Sequence, residues 1–189
     1  LSVLRFDNPE WSMPEITNSQ KPVFKANDMG HPLLVRERVN NDVQILEPIH
    51  ALLITGSNMS GKSTLLRAAG INLVLACAGA PVCAGSLRAS LMHIHTCMRV
   101  SDNLEKSISS FYAELLGIKA IVAKANEGES VFFLLDEIFK GTNSIDRHLG
   151  TKILIRKLCS TKSIGLVSTT RNAIYLMKLA GIDIEDDQI

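Results

Sequence analysis

Residues 56–64 read Gly56-Ser57-Asn58-Met59-Ser60-Gly61-Lys62-Ser63-Thr64, which is the phosphate-binding loop pattern G-x-x-x-x-G-K-[ST]. The two glycines allow a tight turn that points successive backbone N–H groups into one concavity, where they can cradle a β-phosphate. Lys62 adds a positive charge for the β- and γ-phosphates, and the Ser63 hydroxyl is short enough to ligate Mg²⁺. The loop therefore predicts a site for a nucleoside triphosphate and Mg²⁺.

The segments on either side of this loop fit the motif. Residues 51–54 form a short apolar run typical of a strand, and a helix is predicted from Ser63 to between Cys77 and Ala80. This helix is apolar on nearly every face, which predicts burial between two layers, and its positive end would point at the bound anion. A glycine turn that binds nothing is the alternative, but strand, loop and helix in this order favour nucleotide binding.

A second motif follows the apolar run Val131-Phe132-Phe133-Leu134-Leu135, which predicts a parallel strand buried on both faces. The strand delivers Asp136 and Glu137 at its carboxyl end, where α/β sheets bind their ligands. Asp136 is predicted to hold Mg²⁺ directly or through water, and Glu137 to orient and polarise the attacking water. Because neighbouring residues of a strand face opposite ways, Glu137 must lie where the strand is already ending. Taken alone, the pair could also be a solvated acidic turn.

The remaining core pattern alternates helices and strands. An amphipathic helix is predicted over 109–126, capped by Ser109, with Phe111, Leu115, Ile118 and Val122 on its buried stripe. Further predicted elements share weaker or shorter apolar patterns. They are a strand within 91–100, a helix that ends at about 159, a strand over 163–168 and a short helix to 179. His93 and His95 would share one face of the first of these strands, either as a polar sheet face or as a metal pair.

The predicted domain organisation has three parts. Residues 1–47 contain four prolines and small strands at 23–25 and 43–46, and we expect this segment to pack on the core and border the base. Residues 48–180 form the ATPase core, and residues 181–189 form an acidic tail. Because the chain begins at Leu1 rather than Met, we expect a truncated piece of a longer protein.

Composition limits the classes of function. The 189 residues are 46% hydrophobic and 21% charged, with a net charge of +1, so the basic signature of non-specific DNA binding is missing. The four cysteines lie far apart without a C-x-x-C pair, which favours buried, reduced thiols. The sequence has no signal-peptide pattern and no membrane-length apolar run. These features predict a soluble protein of a reducing compartment, cytoplasmic and nucleoid-associated if the source is prokaryotic.

Together, the motifs resemble one family, the ATPase domain of MutS-type DNA mismatch-repair proteins. The phosphate loop has that family's Asn-Met pair, and the Lys-Gly-Thr-Asn-Ser stretch after Glu137 is similar to that of the short MutS-related proteins. The stretches that carry the resemblance lie between residues 24 and 170. They are 30–32, 41–42, 54–67, 101–104, 109–115 and 134–146.

The resemblance implies an α/β fold, namely a P-loop NTPase of the ABC type with a mostly parallel central sheet flanked by helices. It also implies a homodimer with composite ATP sites, in which a loop of one subunit reaches the γ-phosphate held by Lys62 of the other. Val39 and Asn41 would border the adenine, next to Arg38 at a position that is often aromatic in the family; a guanidinium can also stack on a base. The residues of the reaching loop are Gly141, Thr142, Asn143 and Ser144.

Two functions remain open from the sequence. The first is Mg-ATP hydrolysis that drives conformational switching in DNA mismatch repair or related DNA maintenance, with DNA contacted largely by domains outside this chain. The second is an ATP-gated dimerisation or DNA-binding module with little turnover. The second is favoured by Thr170, which stands where the family usually has the His of a Ser-Thr-His-Asp stretch. A chromosome-maintenance ATPase head would need an L-S-G-G-Q stretch, and the sequence has none.

Overall fold

The computed structural model of this chain describes residues 6–19, 21–34, 38–57, 59–98 and 110–169. Strands and helices within these ranges follow the order that the sequence predicts around the phosphate loop. Their bounds are β1 Glu15–Thr17, β2 Phe24–Met29, β3 Asn41–Ile45, β4 Ala51–Thr55, α1 Lys62–Cys77, β5 Ser86–Ser90, β6 His93–Cys97, α2 Ser110–Asn126, β7 Val131–Asp136, α3 Ser144–Cys159 and β8 Ser163–Thr169.

The central sheet is parallel, with the order β4-β8-β7-β6. Its register pairs Thr55 with Thr169 and Asp136 with Ser168, so three strands end side by side. β7 is buried from Val131 to Leu135, as a strand covered on both faces should be. The carboxyl ends of β4, β8 and β7 therefore form one edge from which the phosphate loop and the acidic pair emerge.

A second sheet, which the sequence patterns do not predict, has the order β1-β5-β2-β3. In this sheet β5 runs parallel to β1 and antiparallel to β2, and β2 is antiparallel to β3. The predicted small strands of the N-terminal segment are thus real but longer or shifted. They share a sheet with β5, which comes after the phosphate loop and its helix in the chain.

Helix α1 lies between the two sheets. One hydrophobic cluster contains Leu66 and Leu73 of α1, Phe24 of the mixed sheet and Phe132 of the parallel sheet. The rings of Phe24 and Phe132 stack with their centroids 4.8 Å apart, a distance within the range of favourable aromatic pairs. The predicted burial of this helix between layers is confirmed, and the helix ends at Cys77, the nearer of its two expected limits.

A buried amide joins the N-terminal segment to α1. Asn72 Nδ2 donates to the carbonyl of Gly30 at 2.9 Å and also to that of Ala68. Asn72 Oδ1 accepts from the backbone N–H of Cys83 at 2.7 Å. Asn72 is fully buried, so it satisfies backbone groups that water cannot reach.

Helices α2 and α3 cover the other face of the parallel sheet. Ile118, Ile121 and Ala125 of α2 are buried against Leu154 and Leu158 of α3 and the strands beneath.

The predicted buried stripe of α2 is partly wrong. Leu115 is 37% exposed, whereas Ile121 and Ala125, outside the prediction, are buried. Because most residues of α2 are apolar, the sequence offers several stripes at helical spacing, and only contact with the sheet selects one.

The thiols also differ in part from expectation. Cys83 is buried, Cys97 and Cys159 are half-buried, and Cys77 is exposed; all four are free.

No helix in the described ranges is long and apolar enough to cross a membrane. The acidic tail, the short helix to 179 and the proposed cap Ser109 lie outside the described residues.

Candidate nucleotide-binding site

The phosphate loop joins the end of β4 to the start of α1. Gly61 has φ +87° in the left-handed region and forms the N-cap position of α1, and its carbonyl accepts the N–H of Leu65 at 2.9 Å. Glycine adopts this conformation without the steric cost that a Cβ brings. Met59 also has a positive φ, and its side chain is fully exposed. Asn58 lies outside the described residues.

The side chain of Lys62 is folded back along the loop. Its ammonium donates to the carbonyl of Gly56 at 3.1 Å and to that of Ser57 at 2.8 Å. It also lies 3.4 Å from Glu137 Oε1, and the side chain is only 6% exposed. A buried ammonium held by carbonyls and one carboxylate can exchange these partners for the oxygens of an anion, because all are acceptors.

Asp136 is held by two hydroxyl groups. Ser63 Oγ donates to Asp136 Oδ2 at 2.7 Å, and Ser168 Oγ donates to Asp136 Oδ1 at 2.5 Å. The first hydroxyl comes from the phosphate loop and the second from the end of β8, so the carboxylate joins three neighbouring strand ends. Carboxylate and hydroxyl oxygens are the hard ligands that Mg²⁺ prefers, and Ser63 with Asp136 therefore fits that ion.

Glu137 follows the last residue of β7 in a left-handed conformation, with φ +47°. This turn at the strand end carries its side chain to the same edge as Asp136, in agreement with the sequence argument. The backbone N–H of Glu137 is shared by the carbonyl and the hydroxyl of Ser168, at 3.2 and 3.0 Å. Non-glycine residues rarely adopt such a φ unless their surroundings hold them there.

The carboxylate of Glu137 is paired with two lysines, Lys140 and Lys62. The hydrogen bond from Lys140 is the main cause that lowers the pKa of Glu137; burial opposes it and Lys62 adds to it. Arg147, His148, Ser168 and Thr169 line a small cleft beside this carboxylate. Burial, and then the charge of Arg147, lowers the pKa of His148.

The four residues that the resemblance places in a partner's site lie together between β7 and α3. Asn143 is the N-cap of α3, where its Oδ1 accepts the N–H of Asp146 at 2.9 Å, and Ser144 begins the helix. Thr142 Oγ1 donates to the carbonyl of Phe139 at 3.0 Å. Gly141 packs against Phe111, since a Cβ there would lie 3.0 Å from that side chain.

The residues expected beside the base lie at the start of β3 in the mixed sheet and just before it. Val39 is 78% exposed, and Asn41 is exposed at the start of β3. The guanidinium of Arg38 is held within the fold, because its NH1 donates to Cys83 Sγ at 3.1 Å and its NH2 lies 3.5 Å from Glu10 Oε1. Stacking of Arg38 on a base stays a prediction; the flat face of a guanidinium can stack while its edge keeps such hydrogen bonds.

The histidine pair on β6 does not form part of a larger cluster. His93 is mostly exposed and lies 3.7 Å from Glu129 Oε2. Among the described residues, no group of three or more His, Cys, Asp or Glu side chains is arranged to hold a metal ion.

Four residues around the acidic pair were not singled out for the site by the sequence. They are Ser168, Lys140, Arg147 and Glu114. Ser168 could have been found from its place at the end of the neighbouring strand. The other three contact the loop that follows β7. Glu114 and Arg147 bond its backbone, and Lys140 pairs with Glu137. No sequence motif specifies the shape of this loop. Two predicted features, the segment 101–104 and Thr170, lie outside the described residues.

A parallel sheet whose edge carries a glycine loop, a lysine and an acidic pair defines a phosphate-loop type of α/β domain. A family model described as MutS domain V matches residues 52–181, and the chain belongs to the MutS family.

Named relatives agree with this assignment. The DNA mismatch repair protein MutS of Fervidobacterium nodosum is 33% identical over 140 residues, which cover 72% of this chain and 16% of that protein. The same-named protein of Rickettsia bellii is 34% identical over 145 residues, with 72% and 16% covered. Endonuclease MutS2 of Carboxydothermus hydrogenoformans is 29% identical over 173 residues, with 90% and 21% covered. The chain thus spans about a fifth or less of the length of these relatives.

Proposed function

We propose that this chain is an ABC-type ATPase domain that binds and hydrolyses Mg-ATP, and that the cycle drives conformational switching in DNA mismatch repair or related DNA maintenance. The observation that carries the proposal is the meeting of Lys62 and Ser63 with Asp136 and Glu137 across three strand ends. The Ser63–Asp136 hydrogen bond of 2.7 Å and the Lys62–Glu137 distance of 3.4 Å bring both motifs into one site.

Each side chain has a role that its surroundings support. Lys62 would leave the loop carbonyls to bind the β- and γ-phosphates, while the backbone N–H groups of residues 56–61 surround the β-phosphate. Glu137 would orient and polarise the attacking water as a carboxylate, the form that its two lysine partners favour. Ser63 and Asp136 would hold Mg²⁺, which neutralises charge on the phosphate oxygens.

The loop 141–144 leads directly into the N-terminus of α3, an end with positive partial charge. In a homodimer with composite sites, this end would approach the γ-phosphate bound by Lys62 of the other subunit. Val39 and Asn41 would border the adenine on the subunit that binds the nucleotide. DNA would be contacted largely by parts of the full-length protein beyond this chain.

The test uses the full-length protein with ATP and Mg²⁺. Glu137→Gln is expected to lower the rate of phosphate release by about 10²- to 10⁴-fold, the range for loss of a general base, while nucleotide binding measured by equilibrium titration is retained. Lys62→Ala is expected to weaken binding itself, by about 10-fold or more, since a charged hydrogen bond contributes about 1.5–3 kcal/mol.

Glu127→Gln is the matched control, because Glu127 is an exposed carboxylate paired with Lys124 at 2.9 Å, in a different part of the fold. An unchanged rate in Glu137→Gln would refute hydrolysis by this site. A wild-type protein that shows no saturable uptake of Mg-ATP would refute nucleotide binding altogether.

A second candidate, a nucleotide-gated dimerisation module with little turnover, is favoured by one structural feature. The Lys140 ammonium binds the Glu137 carboxylate and lowers its pKa, and a weaker base polarises water less effectively. Thr170, in place of the usual His, points the same way. Two results together would support this alternative. The Glu137→Gln variant would dimerise in the presence of ATP, and the wild-type protein would release phosphate at a rate near zero.

A further inference from the structure

The loop between β7 and α3 contains two strained residues, Glu137 with φ +47° and Phe139 with φ +61°. A left-handed conformation of a non-glycine residue costs about 1–2 kcal/mol, so contacts from outside must hold the loop in this shape. The two residues are separated only by Ile138, which is buried. Because only one residue separates them, a change in the backbone dihedral angles at Phe139 is expected to displace Glu137.

The carbonyl side of Phe139 is held by groups of the loop and of α3. It accepts the N–H of Thr142 at 3.2 Å and Nε of Arg147 at 3.2 Å. Arg147 also donates to the carbonyls of Lys140 and Thr142, at 3.2 and 3.3 Å. These contacts fix the loop to α3 on one side.

The amide side of Phe139 is held by a residue of another helix. Its N–H donates to Glu114 Oε1 at 2.5 Å, and Glu114 lies one turn into α2. A hydrogen bond to a carboxylate is about twice as strong as one between neutral groups. Phe111, three residues earlier on α2, packs against Gly141, so one face of α2 contacts the loop at two points.

Glu114 belongs to a helix that is anchored in the hydrophobic core. Ile118, one turn further along α2, is buried in the core beneath the helix. The charge of Glu114 also reaches Cys97 at the end of β6; burial is the first cause that raises the pKa of Cys97 to about 11, and Glu114 is the second. Glu114 therefore lies at the carboxyl edge of the parallel sheet, beside the site and outside its proposed ligands.

We propose that Glu114 is a positioning residue, whose carboxylate holds the N–H of Phe139 and thereby keeps Glu137 at the place where it can polarise water. The inference rests on the proposed ATPase function for its effect on rate. Its effect on the shape of the loop does not depend on that function. In this proposal α2 holds Glu137 in position, although Glu114 is not among the residues proposed to bind the nucleotide.

The experiment compares Glu114→Ala and Glu114→Gln with Glu127→Ala as a charge-matched control near the far end of α2. In the full-length, nucleotide-free protein, hydrogen exchange of the segment 137–142 is measured by mass spectrometry. Glu114→Ala is expected to raise exchange at the Phe139 amide about tenfold or more, because the bond that protects it is gone. Glu114→Gln keeps an acceptor oxygen and is expected to retain most of the protection.

Phosphate release by the same proteins tests the consequence for the reaction. Glu114→Ala is expected to lower kcat about 10- to 100-fold through misplacement of Glu137, with KM and the equilibrium affinity for Mg-ATP within about twofold of wild type, because no binding contact is removed. Glu114→Gln is expected to recover most of kcat, and Glu127→Ala to match wild type.

Three results would overturn the inference. One is unchanged exchange at Phe139 in Glu114→Ala; another is increased exchange with wild-type kcat. The third is equal damage by Gln and Ala, since the acceptor would then not matter. A wild-type protein without hydrolysis would refute the proposed function instead, and the exchange data would still decide whether Glu114 holds the loop.

Discussion

At the scale of single residues, the site is governed by the charges around Glu137. Its carboxylate contacts Lys62 from the phosphate loop and Lys140 from the loop that follows β7. Lys62, Asp136 and Glu137 could be predicted from the sequence because each is part of a local motif. The pairing with Lys140 could not, since it depends on the left-handed turns at Glu137 and Phe139, which no residue type there specifies.

Replacement of Lys140 tests this charge arrangement through stability. The pKa of Glu137 is lowered from its usual 4.5 chiefly by the hydrogen bond from Lys140, so the ionised pair stabilises the fold above pH 4.5, and this contribution is lost as pH falls through the lowered value. Lys140→Met is therefore expected to lower the free energy of unfolding at pH 7 by about 1 kcal/mol or less, since Lys140 is partly exposed.

Urea denaturation at pH 7 and at steps down to pH 3.5 measures this effect, which should shrink in the acidic steps. The same substitution in a Glu137→Gln background is the control and should show no such pH dependence. If the loss of unfolding free energy in Lys140→Met stays constant from pH 7 to 3.5, the Lys140–Glu137 ion pair is not its cause.

At the scale of secondary structure elements, the elements next to sequence motifs could be predicted better than the buried face of a helix. Helix α1 and strand β7 were predicted because their apolar runs are long and bounded by motifs. The buried stripe of α2 was mispredicted at Leu115 because periodicity in an apolar helix does not choose between faces. The start of α3 is set by one side chain, Asn143, whose amide oxygen caps the helix.

The cap of α3 gives a prediction at this scale. Asn143→Ala removes the acceptor for the N–H of Asp146 and is expected to lower the free energy of unfolding by about 1 kcal/mol. Asn143 Nδ2 also donates to Asp146 Oδ2 at 2.7 Å, so the conservative variant must not bring a second carboxylate beside Asp146. Asn143→Ser keeps an uncharged acceptor at this position and is expected to stay within about 0.5 kcal/mol of wild type. Urea denaturation of both variants at pH 7 measures the difference. Equal stability of the Ala and Ser variants would show that the cap does not hold this helix.

At the scale of the whole molecule, the mixed sheet joins the N-terminal segment to β5, which follows the phosphate loop and α1 in the chain. This sheet could not be predicted from the sequence, because β1 and β5 are short and pair across about 70 residues of chain, so no local pattern indicates their partners. Three strands of the parallel sheet, β4, β7 and β8, could be predicted because each has its own apolar run, whereas β6 shows only a weak alternation. The role of Asn72, which bonds the backbone of Gly30 and Cys83, could not be predicted either, because a single amide within an apolar helix carries no periodic signal.

Asn72→Ala tests the junction. The substitution leaves the buried N–H of Cys83 without its acceptor, and a buried unsatisfied group costs about 1–3 kcal/mol. We expect a loss of stability in this range and faster cleavage by a protease within residues 21–34, measured by denaturation and limited proteolysis. Asn126→Ala, an exposed amide at the end of α2, is the control and should match wild type. Unchanged proteolysis in Asn72→Ala would show that the segment is attached by other contacts.

The stacked rings of Phe24 and Phe132 have a consequence for how the molecule melts. Each sheet supplies one ring, and both belong to a single apolar cluster around α1. Unfolding of either sheet would expose the apolar surface of the other to water, because the two rings cover each other. A calorimeter should therefore record one cooperative endotherm for the two sheets rather than two separate ones.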